Sequence, residues 1–210
     1  MLALVLKPTP LQNRESKLLL ASGSHTRRRM LDNAGLEFET QSPDVDEAPL
    51  KQQGLQQGWS ASQTALALAR AKALAVSAPG AVVIGADQIL SCQGQWYDKP
   101  ADMAQAHTQL MALQGQTHIL HTAVVLVQDG QVLWEHVAEP RLTMRPVTEG
   151  FITRYLAFEG AQCLSSVGAY RLEGPGIQLF DTIEGDAFAI QGLPLLPLIA
   201  ALRAIKVLQA

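Results

Sequence analysis

Cysteine is scarce: Cys92 and Cys163 are the only two in 210 residues. Two thiols cannot form a disulfide framework or a four-thiolate zinc site, so both read as free thiols in a reducing compartment. Charged residues are also few, at 17%, and the formal net charge is -3. No global basic field gathers nucleic acid, and any site for a polyanion must be local. Aromatics make up 5%, and the three tryptophans lie apart, which excludes an aromatic ladder for single-stranded nucleic acid. The apolar stretch Ala187–Leu202 is interrupted by Gly192, Pro194 and Pro197 and is shorter than the roughly 18–20 residues of a membrane span. MLALVL at the start is too short for a signal-peptide core and has no basic region before it. The expectation is a cytoplasmic protein with no membrane span and no nucleic-acid partner. Neither the P-loop pattern nor H-E-x-x-H occurs.

Hydrophobic residues, at 48%, are enough to bury a core in one large domain or two small lobes. Residues 1–16, with Pro8, Pro10 and a polar cluster, read as an extension. Leu18–Ser22 reads as a buried strand; Ser24 or Thr26 caps the helix after it, and Gly35 ends that helix. Leu36–Gln41 reads as a short strand, and SPDVDEAPLKQQG as a loop. An alanine-rich helix spans Ser62–Ser77 and stops at Pro79-Gly80. AVVIGADQIL reads as a strand broken at Gly85, and SCQGQWYDKP as a hairpin arm and loop. Asp102 caps a helix to Leu113, and Asp129-Gly130 turns a hairpin. Thr148–Phe158 reads as helix, Gly168–Gly192 as strands joined by loops, and Pro194 as the first residue of a last helix. Interleaved strands and helices with added hairpins predict an α/β fold with a mixed sheet.

Several short stretches carry chemistry. Ser22, Gly23 and Ser24, between a strand and a helix, are small enough for an anion to approach backbone N–H groups, and Arg27 one turn later can fork onto phosphate. An ordinary basic helix face is the competing reading. Asp87 follows an apolar strand and can position water, take its proton or hold a metal; it can equally cap a turn. Lys99, held between Asp98 and Pro100, is either a point charge for phosphate or a solvated turn residue. Lys72, among alanines, either snorkels to solvent or points at an anion. Asp44, Asp46 and Glu47 suit a hard cation or a solvated loop. Glu173, between glycines, can accept hydrogen bonds from a base. The five histidines lack metal-ligand spacing, and His118 and His121 are read as structural.

The order of these stretches is more specific than any one of them. ASGS with its following arginines, DVDE, ALARAKA, IGADQ, YDKP, LQGQTHILHTAV, GAYRLEG, IEGD and GLPL together resemble the Maf family over about residues 17–203. The resemblance implies an elongated, two-lobed, ITPase-like α/β fold around a mixed sheet with a central cleft, formed by residues 17–210 as one domain. It implies hydrolysis of a nucleoside triphosphate to monophosphate and pyrophosphate with a divalent cation, Mg²⁺ or Mn²⁺, in a homodimer. Asp87 matches the proton acceptor, and Arg27, Lys72 and Lys99 match the cations that hold the triphosphate. Ser22 and Ser24 match the phosphate-loop serines, and Glu47, with Asp87, matches the acidic residues at the metal. Thr26, Gln88 and Glu173 fall at positions tied to base choice. The branch acting on dTTP and UTP has Arg, Thr and Gln there, and this chain departs from it at all three. Gln and Glu match the branch acting on 7-methyl-GTP, although Thr26 stands where that branch usually carries an aromatic ring. His25-Thr26 also replaces the family's usual Ser-Pro, and GDAFAIQGLPL lacks the Asn usual in that stretch. Three alternatives remain at this level: a dTTP/UTP pyrophosphatase, a nucleotide-binding regulator of cell division without turnover, and a degenerate α/β domain that binds a protein partner.

Overall fold

The computed structural model describes residues 10–13 and 15–209. The chain forms two compact units. One takes the residues up to Asp87, Thr122–Val137 and those from Gly192 on; the other takes Gln88–His121 and Ala138–Gln191. The fold is α/β with a mixed sheet of the strands β1 (Leu18–Ala21), β2 (Glu39–Thr40), β3 (Val82–Cys92), β4 (Gln95–Tyr97), β5 (Thr117–Gln128), β6 (Gln131–Ala138), β7 (Arg141–Met144) and β8 (Phe180–Glu184), in the order β2-β1-β3-β5-β7-β8, β4 adding to β3 and β6 to β5. Of the expected extension, residues 1–9 and 14 lie outside the described residues. Gln12 pairs with Leu208, and its side chain donates to Glu37 O and accepts from Glu37 N, each at 2.8 Å. No helix among the described residues is long and apolar enough to cross a membrane.

In the first unit, β1 (Leu18–Ala21) runs parallel to β2 (Glu39–Thr40) and to the first half of β3 (Val82–Cys92), with Leu18 opposite Val82 and Ala21 opposite Gly85. Alternation along β3 sends Ile84 and Ala86 into a core shared with Leu20 and with Val124 and Leu126 of β5 (Thr117–Gln128). Met30 and Leu31 of α1 (His25–Asn33) and Leu198 and Leu202 of α7 (Leu195–Ala204) complete that core. Gly85 and Asp87 share the opposite face, where α3 (Ala61–Leu74) packs. A reciprocal Ser60–Gln63 capping box starts α3. The hairpin to β6 (Gln131–Ala138) turns at Asp129-Gly130, both at positive φ, as expected of a two-residue turn.

Four local expectations are corrected. Residues 47–56 are not loop but the helix α2 (Glu47–Gln56): Asp46 caps it by accepting from Ala48 N, and Pro49 sits in the first turn, where its missing N–H costs nothing. β3 does not break at Gly85; the strand continues because α3 fills the space a side chain would take. Gly168–Gly192 holds a single strand, β8 (Phe180–Glu184), with 3₁₀ turns before it and the short helix α6 (Ala187–Ile190) after it. Gly168 at φ 78° and Pro175 at a turn start favour tight turns over extended chain. Pro194 is the residue before α7 and not its first.

The second unit packs α4 (Met103–Leu113) and α5 (Glu149–Glu159) on the second half of β3, β4 (Gln95–Tyr97), the start of β5, β7 (Arg141–Met144) and β8. His118 is fully buried there, with Nε2 2.7 Å from Tyr170 Oη and no partner for Nδ1 among the described residues. Burial pulls its pKa from 6.5 down to about 4. The unfolded chain therefore takes up a proton that the folded chain refuses between these values. Stability is expected to fall as pH drops from 6.5 to about 4. Urea midpoints across that range should show a steeper fall for the wild type than for His118→Gln; equal slopes would discount this histidine.

Candidate active site

Two glycines set the geometry of the first unit's polar cluster. A Cβ on Gly54 of α2 would lie 2.8 Å from Thr64 Oγ1 of α3. A Cβ on Gly85 would lie 2.2 Å from Ala69 O and 2.7 Å from Ala73 Cβ. Both positions therefore need glycine for the elements to approach, and α3 is held tightly against α2 and β3. Lys72, near the end of α3, then meets the first residue of α2 and the residue two beyond Gly85. Its Nζ lies 2.7 Å from Glu47 Oε1 and 2.5 Å from Asp87 Oδ1. Lys51 sits 3.5 Å from the other oxygen of Glu47.

Asp87 is buried, and this burial pushes its carboxyl above the usual range; Lys72 and Arg27 pull it back, with less effect. Glu47 is more open. Burial pushes it up too, but hydrogen bonding and charge from Lys72, helped by Lys51, leave it below the usual range. Two carboxylates of unlike basicity thus converge on one ammonium, the buried one being the better proton acceptor.

Arg27 is fixed by backbone. Nε donates to Gly192 O at 2.7 Å, and Nη1 donates to Ala86 O at 2.8 Å and to Ser22 Oγ at 3.4 Å. Burial lowers its pKa, Asp87 and Glu47 raise it, and a guanidinium so placed stays charged. Of the two expected caps, Ser24 is the one used: its Oγ accepts from Arg27 N at 3.3 Å. Ser22 Oγ accepts from Ser24 N at 3.2 Å, closing the small turn ahead of α1. Thr26 is half-buried in the first turn of α1.

The first unit therefore brings together Ser22, Ser24, Arg27, Glu47, Lys72 and Asp87, and Thr26 lies in the same unit. Gln88, Lys99 and Glu173 belong to the second unit. There Gln88 Nε2 donates to Ala189 O at 3.0 Å and Ile190 O at 3.1 Å, which fixes which end of its amide is oxygen. Lys99 and Glu173 are exposed. An ion pair between the half-buried Arg171, through Nε, and Oε1 of the buried Glu159, at 2.5 Å, braces the turn that carries Glu173. Gly85, Gly54 and the carbonyls of Ala86 and Gly192 belong to the site without any chemical signal in the sequence. Asp46, a good N-cap with a proline three residues on, was the available signal for α2.

No group of three or more His, Cys, Asp or Glu among the described residues is placed to hold a metal ion. Two carboxylates converging on a cation nonetheless fit a hard divalent ion that takes its remaining oxygens from phosphate and water.

The Maf-like protein family profile matches residues 17–205. A 7-methyl-GTP pyrophosphatase of Mesorhizobium japonicum is 54% identical over 89% of this chain and 95% of its own length. Two proteins named nucleoside triphosphate pyrophosphatase are similarly near. That of Granulibacter bethesdensis is 52% identical over 89% of this chain and 96% of its own. That of Gluconobacter oxydans is 51% identical over 93% and 98%. With nearly its whole length matched by the profile and by relatives at about half identity, this chain belongs to the Maf-like protein family.

Proposed function

We propose that this chain is a hydrolase that converts nucleoside triphosphates, 7-methyl-GTP among them, to the monophosphate and pyrophosphate. The observation that carries the reading is the buried Asp87 carboxylate, its basicity raised by burial, set beside Lys72, Glu47 and Arg27. Breaking a phosphoanhydride needs little covalent chemistry from the protein; it needs charge neutralised and one water aimed. Asp87 accepts the water's proton. Arg27 and Lys72 take the phosphate oxygens, with the backbone N–H groups of the Ser22–Ser24 turn beside them. Lys99 carries the same kind of role by family resemblance, as do Thr26, Gln88 and Glu173 for the base. Glu47 and Asp87 would hold the divalent cation, Mg²⁺ or Mn²⁺, which would supply further neutralisation of phosphate charge. The relatives' names support the substrate class. The reading also places the enzyme in the cytoplasm as a homodimer; its two free cysteines suit a reducing compartment.

The test is pyrophosphate release from a panel of standard and modified nucleoside triphosphates with Mg²⁺ or Mn²⁺. Release is expected from 7-methyl-GTP or another modified purine ahead of dTTP and UTP. No release from any triphosphate, with a related enzyme active alongside, would refute the proposal. Within the same panel, Glu173→Gln is expected to lower preference for the cationic methylated base, because a carboxylate favours a positive ring and a neutral amide does not. An unchanged ranking would detach Glu173 from base choice.

A further inference from the structure

Lys72 has two carboxylate partners, and the two sit where the proposed divalent cation would be held. Its Nζ is within 2.7 Å of Glu47 Oε1 and 2.5 Å of Asp87 Oδ1, and its side chain is only 14% exposed. The three residues come from α2, α3 and β3, which Gly54 and Gly85 lock together, so the backbone positions from which the side chains reach one another are held in place. An ammonium and a divalent ion cannot share that point: like charges this close repel strongly, most of all where burial lowers the dielectric. The described residues also offer no third acidic, thiol or imidazole ligand.

From this geometry we infer that Lys72 stands in for the divalent cation in the nucleotide-free protein and so sets the order of binding, nucleotide before or together with metal. Without nucleotide, an arriving metal ion must expel Lys72 from both carboxylates and leave its ammonium without an anionic partner in a half-enclosed site. With a triphosphate present, the phosphate oxygens receive the ammonium, the two carboxylates are released, and the same phosphates complete the ion's oxygen shell. Lys72 thus changes partners instead of losing them. The inference rests on the pyrophosphatase reading for the divalent cation and for the triphosphate that draws Lys72 away.

The test is Mn²⁺ binding, followed by electron paramagnetic resonance, with no nucleotide present. Wild type is expected to bind weakly. Lys72→Met and Lys72→Gln are expected to bind at least about tenfold more tightly, because the competing charge is gone. Adding Glu47→Gln to either should abolish that gain. Both variants binding Mn²⁺ no better than wild type would overturn the inference. A second measurement needs no variant. In wild type with ¹³C-labelled lysine, Mg²⁺ alone should leave the Lys72 side-chain signal in place, and a non-hydrolysable triphosphate should move it. Movement with Mg²⁺ alone would contradict the order. None of these readings uses turnover. If they hold and no triphosphate is cleaved, the pyrophosphatase reading fails alone. If triphosphates are cleaved and the variants gain no affinity, the role of Lys72 fails alone.

Discussion

Asp87→Asn is expected to lower kcat by about 10²–10⁴-fold while the protein stays folded. The amide keeps the size and shape of the carboxylate, so packing between β3 and α3 is retained. It loses the charge that accepts a proton. Lys72 keeps Glu47 as a partner, so no buried ammonium is left alone. The loss should appear in kcat more than in KM, since Arg27 and the Ser22–Ser24 turn still meet the phosphates. The sign of the pH effect follows from the role of the base. A base works only when unprotonated, so wild-type activity should fall as pH drops through the Asp87 pKa. The residual activity of Asp87→Asn should lack this fall. Turnover within tenfold of wild type would show that another group handles the water.

Gly85→Ala is expected to damage both stability and activity without touching a charged group. The added methyl would lie 2.2 Å from Ala69 O and 2.7 Å from Ala73 Cβ, and its nearest neighbour is helix backbone that cannot rotate away. Relief requires α3 to move off β3. Overpacking of this kind costs about 1–3 kcal/mol, and each kcal/mol lowers Tm by roughly 2–4 °C in a chain of this size. Moving α3 also carries Lys72 away from Asp87, so turnover should fall along with Tm. A thermal melt and an activity assay on the same preparation check both. An unchanged Tm would mean that α3 does not pack where the structure places it.

The contrast between Asp87 and Gly85 shows what was legible in the sequence. Asp87 stood out because a carboxylate ending an apolar run is chemically conspicuous, and Arg27, Lys72 and the two serines stood out for the same reason. Their convergence is legible only through the family resemblance: positions 47, 72 and 87 meet through helix–helix and helix–strand packing, which no local periodicity encodes. Gly85 looked like a breaker because strand glycines often are; only the helix lying on it explains why the strand continues. The Asp129-Gly130 turn and the cap of α4 are legible because each is a local rule satisfied locally. Helix α2 is hidden in the sequence because two prolines and three acids outweigh the one cap that starts it. The Gly168–Gly192 region is ambiguous in the sequence because glycine permits tight turns and extended chain alike, and neighbours decide between them.

The most direct test of the central claim is the product pair from 7-methyl-GTP with Mg²⁺, followed by ³¹P NMR. Monophosphate and pyrophosphate appearing in equal amounts, in wild type and not in Asp87→Asn, is the result expected here. Diphosphate with orthophosphate, or untouched nucleotide, would contradict it.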